Sequence, residues 1–422
     1  MNYGINERPR NWRDAVGYTA QFVFAVLTAT ILIATICGTP VSAGLVAAGI
    51  STVFFLLLTG FKAPIVISNS GATVAAVVGA IALAGPVYEN YTGVLLGGCV
   101  IALIYGIAAI FIKRYGTGWL TKLIPPVVSG TTIMVIGANL AGFIPTYAQV
   151  GGQYSLWGIF VAMVTALTVA VCARYGTKMV KTLPFLIGLL VGYAVSFILT
   201  LTGVAQLIDI STLHWQGLLN MPDFAFLHVN LLKFDWSTLP QIILSFGLVS
   251  LAAMTEHIGD MTTASAVVGK DLLHEPGLHR TLLGDGVGSL IGCFVGAQPN
   301  TTYSEYTSTM AVSGVYSSWF TLTTALSLIA LGFIRPFNQF ISALPNCVFA
   351  GVSIFAYGFI ALAGLRTLIN SNIDWSNIKN QLIFGAMFTA GISGLAITYG
   401  AFNLAGIALA MIVGVLLNVS LR

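Results

Sequence analysis

Charge is scarce in this chain. Only 7% of its 422 residues are Asp, Glu, Lys or Arg, against about 25% in an ordinary soluble domain, while 57% are hydrophobic, more than a soluble fold can hide. Cysteine is rare as well. The five present, Cys37, Cys99, Cys172, Cys293 and Cys347, are odd in number, sit in or beside apolar segments and lack CxxC or metal-ligand spacing, so they are expected to be small buried packing residues. No His/Cys/Asp cluster has zinc spacing, and no Walker-type loop, GxSxG elbow or Cys/His nucleophile pair occurs. That argues against an intramembrane enzyme. Before Arg13 the chain is polar and basic, with no apolar run ahead of a cleavage site, so the first apolar segment is expected to direct insertion. The net charge of +4 comes from basic residues dispersed in short links; nucleic-acid binding, which needs them clustered, is not expected.

What the chain has instead is one apolar run after another, several near the roughly 20 residues that cross a bilayer. Spans are predicted near 14–36, 41–59, 65–84, 92–112, 126–147, 154–173, 184–204, 238–260, 281–297, 299–316, 317–334, 345–365, 381–399 and 401–420. Short cytoplasmic loops concentrate Lys and Arg. With the N-terminus inside, fourteen spans place Arg8, Arg10, Arg13, Lys62, Lys113, Arg114, Lys122, Arg174, Lys178, Lys181, Lys270, Arg280, Arg366, Lys379 and Arg422 in the cytoplasm, and only Lys233 and Arg335 outside. The outer loops are correspondingly poor in positive charge; Glu89 lies in one and Asp209, Asp223 and Asp235 in the longest, about 205–237. That loop separates two sets of seven spans. Because seven is odd, related halves must lie in opposite orientation, as in many secondary transporters. Self-similarity agrees: Pro125–Gly130 matches Pro345–Gly351, and Pro184–Gly192 matches Gly406–Gly414, both offset by about 220 residues. The expected fold class is an all-α polytopic membrane protein with 14 spans arranged as 7+7 inverted repeats.

Spans 3 and 10 break the pattern at corresponding places. Span 3 reads Ala63-Pro64-Ile-Val-Ile-Ser-Asn-Ser-Gly71-Ala-Thr, and span 10 reads Gln298-Pro299-Asn-Thr-Thr-Tyr-Ser-Glu305-Tyr. Non-helical backbone at membrane depth survives only beside protein or a cavity. Each is therefore expected to be a short extended segment followed by a half-helix, the two meeting near the midplane. Free N–H groups at the half-helix starts would serve as ligand donors.

The carboxylates cluster in the same region: Glu256, Asp260, Asp285 and Glu305. Intramembrane acids mark substrate or proton pathways. Glu256 and Asp260 are one helical turn apart on one face. Fifteen uncharged residues, Ser237 to Leu251, precede Glu256, whereas Asp260 also reads as a solvated residue at the cytoplasmic helix end. Asp285 is read either as an ion partner of Arg280 or as a coupling residue. His257 points away from Glu256 and is assigned to packing or loop hydrogen bonding, and His274 and His279 to an exposed loop. A protonated carboxyl both donates and accepts, matching the edge of a cyclic imide or amide; an ionised one only accepts. Proton and neutral heterocycle can thus bind together, as symport requires, whereas two acids would repel sulfate or bicarbonate.

These residues resemble those of the nucleobase:cation symporter 2 (nucleobase-ascorbate transporter) family, and most closely its bacterial uracil permease branch. The resemblance rests on Glu7-Arg8-Pro9, Gly116-Thr-Gly-Trp-Leu120, Glu256-His-Ile-Gly259, Lys270-Asp-Leu-Leu273 with Pro276-Gly-Leu-His-Arg280, and Pro299-Asn-Thr-Thr-Tyr303 followed by Glu305. It implies a homodimeric, proton-coupled importer of uracil in the bacterial inner membrane, both termini cytoplasmic, with protons as coupling ion and no other cofactor. It further implies a core domain (14–113 and 238–334) and a gate domain (114–204 and 335–422), linked through 205–237. By the resemblance Glu256 and Glu305 bind the base, Gly71 and Ser304 present main-chain amides beside Ser70, Ala72 and Tyr303, and Glu256, Asp260 or Asp285 carries the coupled proton. The chain departs from the family at Phe22, in place of a histidine, at Gly71, in place of a phenylalanine, at Ser304, in place of a glycine, and at Tyr306, in place of an asparagine. Asp260 stands where this branch can carry a histidine. Losing the phenylalanine keeps the backbone donor but removes an aromatic wall. A purine or xanthine permease, and from another class an anion transporter of similar architecture, are the alternatives.

Overall fold

Local signals set the first helix. α1 (Trp12–Cys37) begins where the Asn11 side chain accepts from the Asp14 amide and ends where Gly38 turns left-handed, φ 67°, the usual polar start and glycine stop. The computed structural model describes residues 3–82, 91–150, 152–177, 180–181, 183–209, 217–227, 229, 231–399 and 402–421; Glu89, Lys178 and Arg422 lie outside these. After α1 come α2 (Val41–Leu58), strand β1 (Ile67–Asn69), a 3-10 turn (Gly71–Thr73) running into α3 (Val74–Ala82), α4 (Tyr91–Tyr115), α5 (Pro126–Ala141), α6 (Leu156–Tyr175) and α7 (Pro184–Leu201). The second half holds α8 (Leu239–Val268), α9 (Leu278–Val295), β2 (Asn300–Thr302), α10 (Ser304–Ser313), α11 (Ser318–Phe333), α12 (Asn346–Asn370) and α13 (Ile378–Ile392). A hairpin, β3 (Ala396–Tyr399) with β4 (Phe402–Ala405), leads into α14 (Gly406–Ser420).

Eight helical stretches among the described residues are long and apolar enough to cross a membrane: α1, α2, α4, Pro126–Tyr147 around α5, α6, α7, Trp236–Val268 around α8, and α12. Large apolar side chains such as Leu103 and Ile110 of α4 and Leu167 of α6 are exposed, as suits helices whose surroundings are themselves apolar.

Two expectations change. α8 does not end near Asp260 but continues through Ala and Ser positions to Val268, stopping at left-handed Gly269, φ 73°; Asp260 is thus inside the helix. The β3–β4 hairpin was not expected from an apolar run. Left-handed Gly394, φ 72°, follows the end of α13 and precedes the β-prone Ala-Ile-Thr-Tyr sequence.

Packing falls into two sets. In one, α4 and α11 pack on α9 and α2, which also pack on each other, with α1 on α11 and α8 on α4; in the other, α12 joins α5 and α6, while α13 joins α14 and α5. Gly137 lets α5 meet α12 closely: a Cβ there would stand 2.5 Å from the Ala361 nitrogen and 2.7 Å from the Tyr357 carbonyl. At one end of the molecule the N-terminal segment lies along the α10–α11 link, with the Tyr316 amide donating to Tyr3 O (2.9 Å) and the Ser318 amide to Ile5 O (2.9 Å). At the other end Gln298 donates to Thr39 Oγ1 (2.7 Å) and the Arg335 amide to Leu218 O (3.0 Å).

Candidate functional site

β1 and β2 form an antiparallel ladder, Ile67 opposite Thr302, Ser68 opposite Thr301 and Asn69 opposite Asn300. Prolines at 64 and 299 and β-branched residues between them and the corners favour extension over helix. The Ser70 amide donates to Pro299 O (2.8 Å) and the Tyr303 amide to Val66 O (3.2 Å). A two-stranded ladder leaves two outer edges unpaired, costly away from water. Hydroxyls from the flanking helices satisfy them: Thr52 Oγ1 of α2 accepts from Ile67 N (3.1 Å) and donates to Ile67 O (3.0 Å), and Ser289 Oγ of α9 accepts from Asn300 N (3.1 Å) and donates to Asn300 O (2.8 Å). Neither residue stands out in the sequence, since a lone hydroxyl in an apolar helix is common.

Each strand ends at a half-helix. Ser70 caps the Gly71–Thr73 turn and Tyr303 caps α10, neither with a side-chain cap bond. The first amides of both therefore remain donors, reinforced by the helix dipole. Ser70, Gly71 and Ala72 are buried, and the Ser70 hydroxyl makes no hydrogen bond within the chain. Tyr303 is buried and donates from its hydroxyl to Asn69 O (3.0 Å), bridging the two corners. In front of Gly71 stands Leu140 of α5, whose Cδ1 is 3.2 Å from where a Cβ would be.

α8 runs along both corners, packing on β2, α10 and the Gly71–Thr73 turn. It brings the acids to them. Glu256 is partly buried, its Oε2 making no hydrogen bond, and Asp260, Glu305 and Asp285 are the acids near it. Glu305 is in the first turn of α10 and partly buried. Asp260, only 8% exposed, accepts from Ser304 Oγ (2.5 Å) and from Thr302 Oγ1 (2.8 Å). It is not a solvated helix end. Sequence reasoning assigned Ser304 only an amide and passed over Thr302; the spacing of two hydroxyls around Tyr303 was the available signal.

Asp285 is fully buried, and its neighbour is not Arg280, which is exposed. His257 Nδ1 lies 3.0 Å from Asp285 Oδ2 with both side chains fully buried, and His257 Nε2 is 3.1 Å from Thr281 Oγ1. The reason is helical geometry. Arg280 and Asp285 are five apart on α9 and so point in different directions, while α8 lies alongside. His274 is exposed as expected, whereas His279 lies in the first turn of α9 and is partly buried. Among the described residues no group of three or more His, Cys, Asp and Glu side chains is arranged to hold a metal ion. Chemically, the site offers two sets of backbone donors and three acids at one crossing, suited to a small ring with alternating donors and acceptors.

Residues 13–400 match the Xan_ur_permease model, the Permease family. This chain belongs to that family. The permease is 35% identical to the uracil permease of Bacillus caldolyticus, covering 99% of this chain and 94% of that one. It is 33% identical to the uracil permease of Bacillus subtilis (strain 168), over 100% and 95%, and 31% identical to that of Escherichia coli (strain K12), over 98% and 92%. In fold the permease is similar to the transmembrane domain of a cyanobacterial bicarbonate transporter, BicA, with a TM-score of 0.65 at 18% identity over 98% of this chain and 99% of that one. It is also similar to murine Slc26a9, an anion transporter in an inward-facing state, with a TM-score of 0.70 at 12% identity over 99% and 69%. The permease is a multi-pass helical membrane protein and a transporter rather than an enzyme.

Proposed function

We propose that the permease imports a nucleobase, uracil, together with a proton across the bacterial inner membrane. The observation that carries this reading is the crossing of the β1 and β2 corners beneath Glu256 and Glu305. The Gly71 and Ser304 amides would donate to ring carbonyls, with Ser70, Ala72 and Tyr303 around them, while the two glutamates engage ring N–H and C=O groups. One shared proton lets a carboxyl both donate and accept there, so proton and neutral ring favour each other's binding. Asp260 and Asp285 are the other acids within reach of that proton. The names of the bacterial relatives support uracil as substrate; the anion transporters of similar fold contribute the fold alone.

We further infer fourteen spans in two inverted repeats, α1–α7 and α8–α14. Packing supports the pairing, because adding seven to a helix number converts one contact into another: α4–α9 becomes α11–α2, α1–α11 becomes α8–α4, and α6–α7 becomes α13–α14. We read the first packing set as the core domain (14–113, 238–334) and the second as the gate domain (114–204, 335–422). A homodimer with both termini in the cytoplasm completes the proposal. The test is uptake of labelled uracil by liposomes holding the purified permease, with and without an inward proton gradient, and a competition panel of purines and substituted pyrimidines. Gradient-stimulated uptake, blocked best by uracil, is expected; absence of both uptake and binding refutes the proposal.

A further inference from the structure

We propose that the Ser304 hydroxyl is a coupling relay that turns from Asp260 to the bound ring when Asp260 takes up a proton. This deepens the nucleobase reading above and rests on it. Asp260 has one hydroxyl on each oxygen, Ser304 Oγ at 2.5 Å on Oδ1 and Thr302 Oγ1 at 2.8 Å on Oδ2. A carboxylate accepts both. Once a proton from water is added to one oxygen, that oxygen donates, and one of the two contacts must reverse: Asp260 O–H donates to the hydroxyl oxygen, and the hydroxyl hydrogen turns to another acceptor. No other bond forms or breaks, and deprotonation restores the first arrangement.

The reversal falls on Ser304 rather than Thr302. Thr302 is 2% exposed within the β1–β2 ladder and so closed to a ligand. Ser304 is partly exposed and opens the first turn of α10, beside its own uncapped amide, so its hydrogen turns toward the same ring carbonyl. Proton uptake at Asp260 thereby adds one donor to the substrate, and substrate adds one reason for Asp260 to hold its proton, the reciprocity that coupling requires. The titratable groups facing Asp260 are Glu305 from α10 and His257 and Glu256 from α8 itself. Tyr105 of α4 and Asp285 of α9 lie behind Glu256, and α3, α5 and α14 bring none.

The experiment is equilibrium binding of labelled uracil to the purified full-length permease from acid to alkaline pH, for wild type, S304A, S304G, S304T, T302V and D260N, each checked for folding by gel filtration and thermal unfolding. One linked proton makes the wild-type Kd rise by up to about tenfold per pH unit on the alkaline side. S304A and S304G, which keep the amide, are expected to bind with a slope below about twofold per pH unit, S304T to restore the slope, T302V to keep it, and D260N to bind independently of pH. A S304A slope equal to wild type, or affinity lowered by one factor at every pH, overturns the relay. If S304A and S304G do not fold, a wild-type slope in D260N or a flat response in S304T overturns it. Uracil binding by wild type with no pH dependence overturns the relay and the proton coupling with it while leaving nucleobase binding intact; no binding of any nucleobase removes the whole reading.

Discussion

Phe22 of α1 and Tyr306 of α10 stack face to face, ring centroids 4.6 Å apart and planes 29° apart. At both positions the resemblance described above implies another residue, and the structure makes the two partners. The Tyr306 hydroxyl also meets Thr321 Oγ1 at 2.9 Å, so the ring pins α10 to α1 and α11 at once. Stacked aromatic pairs contribute about 0.5–1.5 kcal/mol beyond their buried area. A double-mutant cycle of F22A and Y306A in detergent unfolding is therefore expected to return a coupling energy in that range; strictly additive losses would show that the rings are merely neighbours.

Removing either glutamate's ability to ionise strikes the proposed site directly. E256Q and E305Q should each weaken uracil binding at least about a hundredfold, close to 2.7 kcal/mol, with unfolding temperatures near wild type. Isothermal titration of the folded variants checks this, and retained affinity in one would take that residue out of the site.

The buried His257–Asp285 contact behaves differently. Taking away one partner leaves the other buried without it, at a cost of about 1–3 kcal/mol, whereas replacing both by apolar groups of similar shape recovers much of it. H257A and D285N alone should lower the thermal unfolding midpoint sharply, and H257F with D285L together should lie above either. Equal tolerance of all three would mean that the contact carries little energy.

Outside the membrane, Lys62 Nζ sits 2.6 Å from Glu275 Oε1, both side chains largely in water. Lys62 holds the Glu275 carboxyl below its ordinary value of 4.5. A lowered value means that the contribution to stability is complete above the ordinary carboxylate range and disappears as pH falls through the lowered one. K62M should therefore be less stable than wild type at neutral pH, converge with it in acid, and bind uracil normally. A difference that grows toward acid would contradict the assignment.

Much of this was legible in the residues. Pro64 and Pro299, each followed by a short run that no lipid-facing helix would carry, announced the two broken segments, and Glu256 and Glu305 announced where they mattered. What could not be read were relationships across the bundle. Asp260 looked like a helix end because only its sequence neighbours were visible, and the two hydroxyls that bond it come from the end of β2 and the start of α10, 42 and 44 residues away in the chain. Asp285 has an arginine near it in sequence and a histidine near it in space. Thr52 and Ser289 carry no signal at all until the strands they serve are placed.

Because three rungs of backbone bonding stitch the two half-helices together, neither can tilt without dragging the other. A ring held between them would travel in a rigid cage. On the proposed function, exposure first to one compartment and then to the other would come from that cage moving as one body past α5, whose Leu140 faces Gly71, and not from prising its two walls apart.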